Sequence, residues 1–136
     1  MSSGIGIAPQ SLFYYTTNFA LTRTPTTLAS QTVTVPPGMT SAVVTVVSRL
    51  AAVNSTGSAD YLSCMSKISG AGGLSLQRPV SSGYIDFNVS AYSVVLPGLV
   101  SGGTILLEVQ GNTTAAGWAA NAANTAEMTG SILWFR

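Results

Sequence analysis

The sequence predicts an all-β chain: a two-layer antiparallel β-sandwich or jelly roll with an N-terminal arm. Three observations carry that expectation. Apolar and polar residues alternate in short runs rich in Val, Ile, Thr and Tyr, as in half-buried strands. Turns containing Gly and Pro interrupt those runs at short intervals. No segment keeps the helical periodicity of a long amphipathic helix.

The elements follow in order. Residues 1–25 are expected to form the arm and residues 26–136 a single sandwich domain. Phe13, Tyr14 and Tyr15 are consecutive in the arm. Each such ring is worth about 2–3 kcal/mol when buried, so three exposed rings would reduce solubility. Either this segment is a first strand of its own domain, or the three rings form an assembly interface that docks on a neighbouring subunit. "TLASQTVTV" interleaves Leu28, Val33 and Val35 with Thr32 and Thr34, and "PPGMT" ends that strand. "SAVVTVVSRLAA" places Val44, Val46 and Ser48 on one face and Val43, Thr45 and Val47 on the other, the pattern of a central strand.

Residues 53–60 read as a polar loop. In "YLSCMSKIS", Leu62, Cys64 and Ile68 share one face, with Tyr61, Ser63, Met65 and Lys67 on the other. The glycines of "GAGGLSLQRPVSSG" make residues 69–83 a long connection. "YIDFNV" then alternates, with Ile85, Phe87 and Val89 inward and Tyr84, Asp86 and Asn88 outward. "YSVVL" is stopped by "PGLVSGG", and "TILLEVQ" turns Ile105, Leu107 and Val109 inward and Glu108 outward. Residues 111–125 carry Asn, Thr and Gly among alanines, and a long loop is expected over a helix. The last strand, "MTGSILWFR", puts Met128, Gly130, Ile132 and Trp134 on one face and Leu133 and Phe135 on the other. So apolar a terminus is expected to be an interior strand, paired on both edges.

Composition narrows the function. Charged residues make up 7% of the chain and the net charge is +1, which gives nucleic acid and anionic lipid nothing to read. A surface this neutral is expected to be covered by neighbouring subunits. Cys64 is the single cysteine and reads as a small core residue; histidine is absent. The start "MSSGIGIAPQ" lacks the pattern of a secretory signal and no run is long enough to span a bilayer as a helix, so the expectation is a chain made in the cytoplasm with no membrane insertion.

Without histidine, neither a Ser–His–Asp or Cys–His constellation nor a His-ligated metal site can be built. The carboxylates are Asp60, Asp86, Glu108 and Glu127. Asp86 and Glu108 both read as outward strand residues, which would be neighbours if their strands pair, but solvated strand-face charges are the expectation. No calcium-loop pattern is present, and "GAGG" lacks the Lys and following helix of a phosphate loop. No catalytic residue, cofactor or metal is therefore expected, and no enzyme. Arg49, Lys67 and Arg78 read as isolated surface cations, and the sequons at Asn54, Asn88 and Asn112 as unmodified. Trp118 is either a plug for the end of the core or a stacking platform for a glycan.

Three segments carry a resemblance: "TVTVPPGMTSAVVTVVSRLAAVNSTGSADYLSCMSKISGAGG", "VVLPGLVSGGTILLEVQ" and "NTAEMTGSILWFR". Over residues 26–136 the chain resembles small β-sandwich virion proteins of tailed bacteriophages: minor tail proteins, tail-fibre heads and capsid decoration proteins. The second segment also resembles the jelly rolls of trimeric C1q and tumour-necrosis-factor type heads. The resemblance implies a non-enzymatic virion subunit made in the host cytoplasm, a homotrimer contacting other virion proteins. It has no collagen-like repeat or heptad stalk, which favours a small accessory subunit over a free-standing fibre. The first expectation is a minor tail, tail-tip or fibre-head subunit whose loops at 53–60, 69–83 and 111–125 face a host-surface glycan. The alternatives are a decoration protein that clamps the capsid, and, more remotely, a free carbohydrate-binding lectin.

Overall fold

The computed structural model describes residues 10–72 and 75–136. Residues 1–9 of the expected arm and 73–74 of the expected 69–83 connection lie outside the described residues. The strands, in chain order, are β1 (Gln10–Thr17), β2 (Thr26–Thr34), β3 (Ser41–Val53), β4 (Asp60–Ile68), β5 (Ala71–Gly72), β6 (Leu76–Val80), β7 (Ile85–Leu96), β8 (Thr104–Thr113) and β9 (Thr125–Phe135). Two antiparallel sheets form from them, ordered β1-β9-β3-β7 and β2-β8-β4, with β5 and β6 both pairing the free edge of β4. Around β4–β6 the pairings nest as β3–β7, β2–β8 and β1–β9, so a long folded hairpin wraps into a jelly roll.

β9 lies between β1 and β3, paired with β3 along its whole length and with β1 from Thr125 to Ile132. Its inward residues Ala126, Met128, Ile132 and Trp134 are buried, as the alternation predicts. β3 is central, and its even-numbered residues from Ala42 to Ala52 are all fully covered. Facing them from the second sheet are Leu62, Cys64 and Ile68 of β4 and Ile105, Leu107 and Val109 of β8. A register shift between Thr27 and Ala29 in β2 changes the alternation, so Ala29 and Val33 are buried while Leu28 packs at the margin.

Three expectations are corrected. The first concerns the arm: residues 10–17 form β1, hydrogen-bonded to β9 from Gln10↔Ile132 to Thr17↔Thr125, so no boundary falls between residues 25 and 26. Leu12 is buried and Tyr14 packs against the core, which anchors the segment within its own domain. The second concerns the 69–83 connection, which contains β5 and β6. Arg78 and Pro79 are tolerated because β6 is an edge strand.

The third is the phase of β7, which is inverted. Ile85 and Phe87 face outward and are exposed, while Asn88 and Ser90 face inward and are buried. Hydrogen bonding makes the inward polar residues tolerable. Asn88 Nδ2 donates to the carbonyls of Leu62 and Leu76, both at 3.0 Å, joining the two sheets. Ser66 Oγ of β4 donates to the Ser90 carbonyl at 2.6 Å and lies 2.7 Å from Ser48 Oγ of β3. Outside, Phe87 is flanked by guanidinium groups, Arg49 at 4.6 Å and Arg78 at 5.5 Å from the ring centre.

Gly130 marks where β9 passes close to β3. A Cβ there would collide with the Thr45 carbonyl oxygen and sit 3.0 Å from Val46 Cα, whereas a Cβ at Gly57 meets nothing within 4 Å. Gly130→Ala is therefore expected to lower the urea-unfolding free energy by about 1–3 kcal/mol. Gly57→Ala should leave it unchanged in the same measurement.

Candidate functional site

Two regions concentrate the residues singled out by the sequence: one end of the barrel, and the outer face of the first sheet. The end is built by four loops, at 18–25, 54–59, 81–84 and 114–124. Buried asparagines knit it together. Asn54 Nδ2 donates to the carbonyls of Ser58 and Val80, and its Oδ1 accepts from the backbone N–H and hydroxyl of Thr56. Asn124 Oδ1 accepts from the Val53 N–H at 2.9 Å and Nδ2 donates to the Phe19 carbonyl at 2.8 Å. The Asn54 and Asn88 sequon amides are thus engaged in the fold.

Trp118 closes this end. Its side chain is 1% exposed, and its backbone bridges to Leu21 in both directions, at 3.0 and 2.9 Å. The glycan-platform expectation for Trp118 is therefore corrected: the ring is core, with no face free for a sugar. Its Nε1 donates at 3.2 Å to Asp60, a residue that reads from the sequence as the end of a loop. Asp60 also accepts the backbone N–H groups of Tyr61 at 2.7 Å, Ala115 at 2.8 Å and Ala116 at 3.2 Å. Burial by itself would raise the Asp60 pKa, but the N–H donors of Ala115, Tyr61, Ala116 and Trp118 together outweigh it and hold the carboxyl below its ordinary 3.8. This carboxylate is a structural tie.

The other titratable groups are dispersed. Asp86 of β7 and Glu108 of β8 lie in different sheets, so the neighbouring pair that their outward faces allow does not form. Asp86 pairs with Arg78 at 3.0 Å, and Glu108 accepts from the Thr27 hydroxyl. Burial pushes the Cys64 thiol up to about 12, leaving it protonated and inert. Among the described residues no three His, Cys, Asp or Glu side chains converge on a metal-sized space, and no pocket opens.

The outer face of the first sheet has a different character. Phe13 and Tyr15 of β1, Val47 of β3, and Ile85, Phe87 and Val95 of β7 are all large, apolar and exposed on it, and Leu133 and Phe135 of β9 are half-buried there. Phe13 and Tyr15 are about 60% exposed, their rings tilted at 46° with centres 5.9 Å apart; Tyr14 turns the other way. The proposed interface trio is thus split by strand alternation. Opposite, the outer face of the second sheet is largely polar, with Ser30, Thr32 and Thr34 on β2 and Thr104, Glu108, Gln110 and Asn112 on β8, and Tyr61 and Leu106 as its exposed large side chains.

The strand edges differ in the same sense. Edge strand β1 has no charge and no proline, and β7 has none after Asp86. On the second sheet, β6 carries Arg78 and Pro79, and β2 carries its register shift. Such features guard an edge against pairing, so the first sheet is the unguarded one. No family model matches the chain, and a search of curated proteins gives no match.

The carboxylate of Asp60 gives a pH prediction. With its folded pKa below the ordinary value, its stabilisation is complete above that value and is lost as pH falls through the folded pKa. Urea-unfolding stability should therefore drop on acidification below the ordinary carboxylate range. Asp60→Asn should lower stability at neutral pH by about 2–3 kcal/mol and flatten that acid limb.

Proposed function

We propose that this chain is a non-enzymatic structural subunit of a tailed-bacteriophage virion, placed at the tail as a tail-tip or fibre-head component. The observation that carries the structural-subunit part is the apolar outer face of the first sheet, flanked by unguarded edges. A solvent-facing sheet ordinarily alternates apolar-in with polar-out, and a concentration of large apolar side chains on the outside marks an interaction surface. The virion part rests on the resemblance over residues 26–136, and a jelly roll is compatible with it.

Residues 10–17 are committed to their own sheet, which removes them as the reaching segment that a capsid clamp would use. The lectin reading loses its stacking residue with the burial of Trp118. At the loop end, segments 54–59 and 114–124 lie together with 18–25 and 81–84; the turn after β4 lies at the opposite end. Host contact is accordingly assigned to the first of these ends.

Gold-labelled antibody against the purified chain, applied to intact particles, tests this reading. Label confined to the tail is expected. Label over the shell would transfer the protein to the decoration class, and particles without label would overturn the virion assignment.

A further inference from the structure

The pairing register arranges the outer face of the first sheet in rows that run across its strands. Leu133, Val43 and Val95 form one apolar ridge. The next row outward on the same face is Ser131, Thr45 and Ser93, which with Ser11 of β1 forms a trough of short side chains. In the following row Phe13 and Val47 rise on either side of Thr129, with Ala91 at the β7 end. The trough hydroxyls of Thr45 and Ser93 lie 3.0 Å apart and hydrogen-bond to each other. They would therefore remain partnered if water were removed, which lowers the desolvation cost of covering the trough.

We infer that this face is the contact surface for a second copy of the same chain, the ridge of one copy seated in the trough of the other. The inference deepens the structural-subunit reading and rests on it for the premise that the face is covered. Charge selects the occupant. The charges at the face are paired, Arg49 with Glu127 at 3.8 Å and, at its β7 edge, Arg78 with Asp86 at 3.0 Å, so among the described residues a nucleic acid, an acidic peptide or an anionic membrane is offered no patch of unmatched positive charge. A surface of the same neutral, ridged character does find its match.

Size agrees as well. Four strands spaced by about 4.8 Å, with roughly eleven residues each rising about 3.3 Å, present roughly 700 Å². A stable protein interface takes about 600–1,000 Å² from each partner, so nearly the whole face would be covered. The face is large enough for a second copy; its large apolar side chains lie around a middle in which Arg49 pairs with Glu127 and Thr45 hydrogen-bonds to Ser93.

Sedimentation equilibrium of the purified full chain at micromolar concentration tests the inference. The expected mass is at least twice that of the 13.9 kDa chain, in whole multiples. Val47→Arg places a charge at the centre of the face and should weaken self-association by at least about tenfold, whereas Thr32→Arg on the opposite sheet should not change it. Circular dichroism establishes that each variant is folded. Should Val47→Arg fail to fold, Val95→Lys serves instead, because that side chain is 64% exposed in the single chain and its change leaves the core intact.

A monomeric wild-type chain overturns the inference. So does an oligomer that persists in both face variants, since the contact would then lie on a strand edge or on the other sheet. A monomer that nevertheless labels the tail removes the self-contact and leaves the structural-subunit reading standing; an oligomer missing from particles removes the virion assignment and leaves the self-contact.

Discussion

The placement of β9 between β1 and β3 governs the rest of the molecule. Pairing on both edges satisfies the β9 backbone from Thr125 to Ile132, β3 continues it to Phe135, and burial of Ile132 and Trp134 on the inward face ties the strand to the core. Without β9, β1 would have no partner in its sheet, and the outermost turn of the wrapped hairpin would be lost. The same insertion requires Gly130, because β9 approaches the Thr45–Val46 backbone too closely for a side chain. An apolar chain end is thus a consequence of topology: the last strand of a jelly roll is an interior strand.

Polar groups, more than the apolar core, determine how the two layers are held in register. Dispersion and apolar burial are non-directional, so they set compactness without choosing one alignment of the sheets. The hydrogen bonds of Asn88 to β4 and β6, and of Ser66 to Ser90 and Ser48, do choose one. At the loop end, Asp60 does the corresponding work between β4 and the segment that carries Trp118, across 58 residues of sequence. With the interior so satisfied, the molecule's unpaired apolar surface is concentrated on the outside of the first sheet. A neutral chain with few charges has little else to keep that face in water, which is the physical basis for proposing that a partner covers it.

Much of this was legible in the residues, for identifiable reasons. The faces of β3, β4, β8 and β9 follow from period-2 alternation because most of their inward residues are apolar, with Ser48, Asp60, Ser66 and Thr113 as the buried polar exceptions. β7 misled that reasoning because its inward Asn88 and Ser90 are polar and its outward Phe87 is sheltered by Arg49 and Arg78. Only partners distant in sequence reveal this. β6 was hidden by Pro79 and the preceding glycines, and becomes a strand through its pairing with β4. Membership of β1 in the first sheet depends on a partner at the opposite end of the chain. Trp118 offered two environments that local composition does not separate, and its partners Leu21 and Asp60 decide between them. The exposed pair Phe13 and Tyr15 was visible as a pair of unusual aromatics, but the face they share with Val47 and Val95 emerges only from the register.

The most direct measurement of the central claim is native-state hydrogen exchange resolved to single amides along residues 127–134. If β9 is an interior strand, these amides exchange only through global unfolding, with protection free energies equal to the stability obtained from urea denaturation and matching those of β3. Rapid exchange of residues 127–134 while β3 and β8 remain protected would mean that the chain end frays from the sheet, and the architecture described here would be contradicted.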